Sequence, residues 1–148
     1  MERRQLIMKV STTWHGKRAF TSEGPSGYSV GMDATAAYGG DGKGMTPMEL
    51  LLAGLAGCIG IDITMILDRF LSDIQRIDID AEGTRKEQMP TGFTAIDLTF
   101  HVDGDIPDYR VWKAIQMGKE KYCAVSDSLK AEIRMHLILN GTEVPYPA

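Results

Sequence analysis

The sequence predicts an α+β fold whose elements follow the order β-β-β-α-β-β-α-α-β. Segments that alternate apolar and polar residues occur in groups rather than singly between helices, which is typical of α+β proteins. The longest uncharged apolar stretch, residues 50–61, lies between two such groups and predicts a long central helix with an antiparallel sheet around it. Because no internal repeat or linker divides the chain, we expect a single domain over residues 1–148.

Three strands are predicted before the central helix. Alternation with a period of two over residues 6–14 indicates the first strand, and a glycine-containing turn at residues 15–17 ends it. Residues 19–21 and 28–32 indicate two short strands, which are separated by a turn at residues 24–27.

The central helix has a clear start signal. Thr46 suits the N-cap, Pro47 the first helical position and Glu49 the third position after the cap, which together form a capping box. We expect a helix from Pro47 to about Phe70, and we expect its first half to be buried on all sides, because that half is apolar all round. Several small residues predict close backbone packing, either of two helices crossing in a dimer or of one helix wrapped by a sheet. These small residues are Ala53, Gly54, Ala56, Gly57 and Gly60.

The second half of the chain predicts a hairpin, two helices and a final strand. Residues 77–82 and 96–103 alternate as strands with one buried and one solvated face. Helices are expected over about residues 108–122 and 126–129, the second capped by its first residue, a serine. Residues 133–139 then form the last strand.

Composition and charge argue against several classes of function. The net charge is −4, so we expect no nucleic-acid partner, because phosphate binding requires clustered Lys and Arg. The apolar run is shorter than the roughly 20 residues of a membrane span, and the first ten residues lack the apolar segment of a signal peptide. A soluble cytoplasmic protein without a membrane partner is therefore expected. The three histidines lie far apart and the two cysteines form no CxxC motif, so no metal site is expected.

The two cysteines, Cys58 and Cys123, are the candidates for chemistry. A buried cysteine is often a small packing residue, and that interpretation of Cys58 stays open. However, its small neighbours leave room for a substrate or a second chain, and Cys123 lies at a helix junction whose N–H groups can stabilise a thiolate. Spacing alone does not show whether the sulfurs meet. Asp62, one helical turn after Cys58, is expected to reach solvent, a cationic side chain or a partner chain rather than to act in catalysis.

Two motifs around these cysteines resemble those of the OsmC and organic hydroperoxide reductase family. Residues 46–58 form a proline-started helical segment in which Cys58 follows Pro47 by eleven residues, and residues 121–126 resemble the family's second cysteine motif. The order of elements is also similar, so the resemblance covers nearly the whole chain. The Ile-Asp pair at residues 61–62 is similar to that of an uncharacterised branch of the family.

The resemblance implies an OsmC-like fold, an intertwined homodimer and a thiol-dependent peroxidase that needs no cofactor. Cys58 would reduce an organic hydroperoxide and become a sulfenic acid. Cys123 would then form a disulfide with Cys58, and a dithiol reductant would restore both thiols.

The family also uses an arginine beside the thiolate and a glutamate that orients it. The glutamate position of the motif is occupied here by Met48, and Glu49 lies one place later, about 100° around the helix. Arg18 is the best candidate for the arginine and Arg85 a weaker one, although a solvated Arg18 is an equally valid interpretation.

Two other functions stay open, the first of them because Met48 replaces the glutamate. A non-catalytic small-molecule binding dimer would keep the fold and both cysteines without the arginine and glutamate. A redox sensor or disulfide-exchange protein would use the same two thiols without efficient turnover of peroxide.

Overall fold

The structure, a computed structural model, describes residues 6–147, so residues 1–5 and 148 lie outside this description. The chain divides into two compact units whose boundary lies between Leu51 and Leu52. The order of helices and strands confirms the α+β class. That all 148 residues act as one domain stays a prediction.

The first unit contains a small antiparallel sheet. Its strands are β1 (Ser11–Trp14), β2 (Phe20–Glu23) and β3 (Ser29–Met32), in the order β1-β2-β3. β1 is shorter than the predicted segment at residues 6–14, because its partner β2 ends at Glu23, opposite Ser11. Residues 6–10 therefore have no partner strand in this sheet.

Helix α1 runs from Pro47 to Ile66. The predicted capping box is confirmed: the N–H of Glu49 donates to Oγ1 of Thr46 at 3.3 Å, and the N–H of Thr46 donates to Oε2 of Glu49 at 2.6 Å. The helix ends before Phe70, because the chain tightens into a 3-10 helix over Asp68–Asp73.

The expectation that the first half of α1 is buried on all sides is wrong for the single chain. Leu55, Ile59 and Ile63, spaced one turn apart, are fully buried, but Ile61 and Met65 on another face are 63% and 69% exposed. The reason is that the sheet of the second unit packs against one face of α1 only.

By length and composition alone, α1 is long and apolar enough to cross a membrane. The sequence did not predict this, because the uncharged apolar run at residues 50–61 is shorter than the helix. Core helices of soluble proteins share these properties, and the buried face of α1 lies in the core of the second unit. That the protein has no membrane partner stays a prediction.

The second unit contains a mixed four-stranded sheet. Its strands are β4 (Ile74–Arg85), β5 (Phe93–Gly104), β6 (Glu132–Leu139) and β7 (Thr142–Val144), in the order β4-β5-β6-β7. β5 and β6 are parallel, whereas the other neighbours are antiparallel. The expectation of an antiparallel sheet is therefore wrong at this pair.

The parallel pair follows from its connection. α2 (Asp108–Met117) and α3 (Ala124–Asp127) lie between β5 and β6 in the chain, and a helical crossover of this kind returns the chain parallel to its starting strand. β7, which was not predicted, has only three residues and forms a hairpin with β6. Alternate residues of the sheet face the core, where Phe100 of β5 is fully buried.

The opposite face of this sheet is polar and carries one strong ion pair. The guanidinium of Arg134 donates to both carboxylate oxygens of Asp97, at 2.9 and 2.8 Å. Nε2 of His136 lies 2.9 Å from Oδ1 of the same carboxylate. The Arg134 hydrogen bonds, with a smaller contribution from His136, lower the pKa of Asp97 to about 2.

We expect Asp97→Asn to reduce the dependence of the free energy of unfolding on pH under acidic conditions. Because the pKa of Asp97 is depressed in the folded state, its ion pair stabilises the protein fully above the unfolded pKa of about 3.9 and is lost as the pH falls through about 2. Urea unfolding at several pH values should show that Asp97→Asn lowers the free energy of unfolding by no more than about 1 kcal/mol at pH 7. This difference from the wild type should shrink between pH 4 and pH 2. Glu82→Gln on the neighbouring strand is the control, and an equal effect there would contradict the assignment to Asp97.

Candidate active site

The segment that carries the second cysteine departs from a regular helix. α2 ends at Met117 and continues as a π-helical turn over Gly118–Tyr122, rather than as one α-helix through residue 122. Gly118 packs against α1, since a Cβ there would lie 3.6 Å from both Ile59 and Asp62. Turns of this type occur frequently at functional sites. This turn brings the residue after it, Cys123, to α1.

Two hydrogen bonds hold Cys123 in place, one through its backbone N–H and one through its sulfur. Its N–H donates to the carbonyl of Gly118 at 2.8 Å. Its Sγ accepts from the N–H of Ser126 at 3.3 Å, and Cys123 is therefore the N-cap of α3. Ser126, which was expected to cap this helix, lies within it and donates its hydroxyl to the carbonyls of Lys119 and Cys123. Cys123 is buried, with 3% of the residue exposed.

The structure brings the two cysteines together. Sγ of Cys58, Sγ of Cys123 and a carboxylate oxygen of Asp62 all lie within 4.8 Å of one another. Both thiols are free. A disulfide has an S–S bond of about 2.05 Å, so a small movement of the two side chains is enough to join the sulfurs.

The environment of Cys58 raises its thiol pKa. Burial is the largest cause, because a thiolate is disfavoured away from water. A backbone hydrogen bond from Val125 acts in the opposite direction and lowers the pKa, while the neighbouring Cys123 and the negative charge of Asp62 raise it further. Cys58 is therefore mostly a thiol at neutral pH in the free protein.

Asp62 is a site residue that the sequence analysis assigned elsewhere. It was expected at solvent, at a cation or at a partner chain, but its carboxylate lies beside both sulfurs. Its Oδ2 atom is buried and accepts no hydrogen bond from any residue between 6 and 147. The spacing of four residues from Cys58 was the available signal, since it places both side chains on one helical face.

A pocket of about 420 Å³ adjoins the cluster at Asp62. Its other lining residues are mainly apolar, namely Met65, Ile66, Met117 and Tyr122. The pocket gives a small molecule with an apolar part a place next to the carboxylate and the thiols.

The proposed arginine and glutamate have contacts of their own. Arg18 lies in the first unit, where its Nε donates to the carbonyl of Tyr38 at 3.2 Å. Glu49 is occupied by the capping box with Thr46. Arg85 lies over the ring of Phe93 at 5.7 Å. These contacts explain each side chain structurally, and catalytic roles for Arg18 and Glu49 stay predictions.

We expect Asp62→Asn to lower the pKa of Cys58, because the substitution removes a negative charge that disfavours the thiolate. Alkylation of Cys58 by iodoacetamide, followed by mass spectrometry of its peptide, should then begin at a lower pH than in the wild type. Asp68→Asn, at an exposed carboxylate beyond the end of α1, is the matched control. If the midpoint pH of Cys58 alkylation is unchanged or higher in Asp62→Asn, this would contradict the position of the Asp62 carboxylate beside the Cys58 sulfur.

Fold and site together define an α+β protein with a dithiol centre between its central helix and the start of α3. Residues 40–137 match the OsmC-like protein family. The chain is also 33% identical over 129 residues to protein YhfA of Escherichia coli K12, which covers 86% of this chain and 93% of YhfA. The chain therefore belongs to the OsmC-like family, and the resemblance inferred from the two cysteine motifs is confirmed.

Solved structures share the fold. A hypothetical protein from Aquifex aeolicus VF5 has a TM-score of 0.78 at 23% identity, with 91% of this chain and 97% of that chain covered. An organic hydroperoxide resistance protein, OsmC, from Legionella pneumophila has a TM-score of 0.63 at 16% identity, with 93% and 98% covered. At these identities, the likeness shows a common fold.

Proposed function

We propose that this protein is a thiol-dependent peroxidase that reduces organic hydroperoxides. The observation that carries the proposal is the pair of free sulfurs, Cys58 and Cys123, within 4.8 Å of each other and beside a largely apolar pocket. Organic hydroperoxide resistance proteins with the same fold support it. Arg18 is retained in the proposal as the candidate for holding the peroxide and the thiolate, and Glu49 as the candidate for orienting that arginine.

The proposed reaction uses both thiols. The thiolate of Cys58 attacks the terminal oxygen of the hydroperoxide, the O–O bond breaks, and an alcohol leaves after taking up a proton. Cys58 is then a sulfenic acid. The thiolate of Cys123 attacks the Cys58 sulfur, the S–O bond breaks, and a disulfide forms, while the departing hydroxide takes up a proton and leaves as water. An external dithiol reduces this disulfide by exchange and is itself oxidised to a disulfide.

The pocket supports an organic rather than an inorganic peroxide. Met65, Ile66 and Met117 would cover an alkyl group whose peroxide end lies near Asp62 and the sulfurs. Burying each CH₂ group contributes about 0.8 kcal/mol, so we expect cumene hydroperoxide to be reduced with a lower KM than hydrogen peroxide. Because the cycle requires a dithiol reductant, we infer a cytoplasmic location.

The test is a coupled assay with cumene hydroperoxide and dithiothreitol, together with mass spectrometry of the protein after one equivalent of peroxide. We expect turnover and a disulfide that joins Cys58 to Cys123. Disulfide formation without efficient recycling would instead support a redox sensor. Unoxidised thiols with no turnover would overturn the proposal and favour a small-molecule binding protein.

We further propose that the protein is a homodimer through the exposed face of α1. Ile61 and Met65 are apolar and largely exposed, and Gly54 and Gly57 continue the same face at helical spacing. A second copy would cover these side chains, and the small residues would allow its backbone to approach closely. Tyr122, which lines the pocket and is 49% exposed, is the last residue of the π-helical turn and would be shielded with them.

We expect sedimentation at micromolar concentration to give about twice the 16.3 kDa mass of one chain. Ile61→Asp should weaken the dimer at least about 100-fold, because an unpaired charge would be buried in the interface. Glu82→Gln, on the polar face of the sheet, should leave the dimer intact. A monomeric wild-type protein would exclude this assembly, and a fully dimeric Ile61→Asp would exclude this interface.

A further inference from the structure

We propose that the reduced cluster of Cys58, Cys123 and Asp62 binds one thiophilic divalent cation, such as Zn²⁺, per chain. This inference goes beyond the proposed peroxidase activity and does not depend on it. Two thiolates and a carboxylate are a donor set that Zn²⁺ accepts in proteins, where three protein ligands leave a fourth position for water or another small ligand.

The distances fit such a site. All three donor atoms lie within 4.8 Å of one another. Tetrahedral zinc with Zn–S bonds of about 2.3 Å and Zn–O bonds of about 2.0–2.2 Å brings its donors to about 3.4–3.8 Å from one another. Because the donors lie at most 4.8 Å apart, no pair needs to close by more than about 1.4 Å.

The scaffold presents these donors from two fixed elements. Cys58 and Asp62 are four residues apart on α1 and share one helical face, a spacing that also serves two ligands of one metal in helical zinc motifs. Cys123 is held in place by its hydrogen bonds with Gly118 and Ser126. The pocket at Asp62 leaves space for a fourth ligand.

The electrostatics also favour a cation. Three groups that become negative on ionisation meet here, because both sulfurs and the carboxylate of Asp62 lie within 4.8 Å of one another. Within residues 6–147 Asp62 forms no salt bridge, and its buried Oδ2 has no hydrogen-bond donor. A bound cation would supply the missing positive charge and displace the two thiol protons.

No metal site was expected from the sequence, because the histidines lie far apart and the cysteines form no CxxC motif. That expectation considered ligands close together in the sequence, whereas this donor set comes from α1 and from the N-cap of α3. A metal on both sulfurs would also hold them apart as thiolates. Metal binding would therefore protect the pair from oxidation and compete with formation of the disulfide.

Cobalt is a suitable probe, because Co²⁺ accepts the same ligands and gives a near-ultraviolet charge-transfer band when bound to thiolates. Titration of the reduced wild-type protein with Co²⁺ under anaerobic conditions should produce this band and saturate at one Co²⁺ per chain, and Zn²⁺ should remove it. Cys58→Ser should weaken the band. Absence of the band in the wild-type protein would overturn the proposal.

The carboxylate is tested by a matched pair of variants. Asp62→Asn keeps the shape of the side chain and should raise the Kd for Co²⁺ at least about tenfold, as expected when a metal site loses a contributing group. Asp68→Asn should leave the Kd unchanged. Equal affinities for Asp62→Asn and the wild type, with circular dichroism showing both folded, would exclude Asp62 as a ligand and overturn the three-donor site. Hydroperoxide turnover measured with a chelator present tests the peroxidase separately.

Discussion

Cys58→Ser is expected to lower hydroperoxide turnover at least about 1,000-fold, because it removes the group that attacks the peroxide. Cys123→Ser should instead allow one round of oxidation and then stop, since no second sulfur is available within the site to form the disulfide. The coupled assay with cumene hydroperoxide and dithiothreitol measures turnover, and dimedone labelling followed by mass spectrometry detects the Cys58 sulfenic acid trapped in Cys123→Ser.

Ser128→Ala is the control for these variants. Ser128 lies just after α3, and its exposed hydroxyl donates to the carbonyl of Ala124 at 2.8 Å. Its removal should leave turnover unchanged. Full activity in Cys58→Ser, or dimedone labelling at Cys123 rather than Cys58 in the wild type, would contradict the assigned order of the two thiols.

Phe100→Ala is expected to destabilise the protein by about 3–5 kcal/mol, which is a large part of the stability of a domain of this size. Phe100 is fully buried at the middle of β5, where it belongs to the core that includes Ile59 and Ile63 of α1. Truncation leaves a cavity that rigid strands on both sides of β5 cannot close. Urea unfolding followed by circular dichroism measures the change.

Thr99→Ala is the matched control for this prediction. Thr99 is the neighbouring residue of β5 and faces the polar side of the sheet, in the same row as Asp80 and His136. Its truncation should change the free energy of unfolding by no more than about 0.5 kcal/mol. Similar losses for both variants would mean that the burial of Phe100 does not govern the stability of this sheet.

Features set by neighbouring residues could be predicted from the sequence. The capping box of Thr46 and Glu49 depends on residues three apart, and the structure contains both of its hydrogen bonds. The long strands β4 and β5 were also found, because each alternates apolar and polar residues over most of its length. The ends of β1 and α1 were misplaced, since these depend on where a partner strand ends or where the chain tightens.

Features that depend on distant parts of the chain could not be derived from local patterns. The parallel pairing of β5 with β6 is set by the path of the helices between them, and a three-residue strand such as β7 has too few residues to show a period. Burial of α1 on one face only was missed for a related reason. An apolar pattern shows which residues avoid water, but it does not show whether the same chain or another one covers them.

The candidate site divides in the same way. The two cysteines were recognised from their motifs, but their closeness is a property of the fold. The sequence places Asp62 on the same helical face as Cys58. The burial of its Oδ2 atom without a hydrogen-bond donor from residues 6–147 depends on the fold. The spacing of four residues from Cys58 predicted which face of α1 carries the Asp62 side chain. The π-helical turn at Gly118–Tyr122 places Cys123 beside that face, and local spacing could not predict this.

That turn has a consequence for how insertions and deletions affect this protein. A π-type turn holds one residue more than an α-helical turn, and each residue of a helix rotates the chain by about 100°. Loss of one residue from Gly118–Tyr122 would restore a regular helix and swing Cys123 around the axis, away from Cys58. The protein can therefore lose its dithiol centre through a change of length alone, with every strand, every core residue and both cysteines still present.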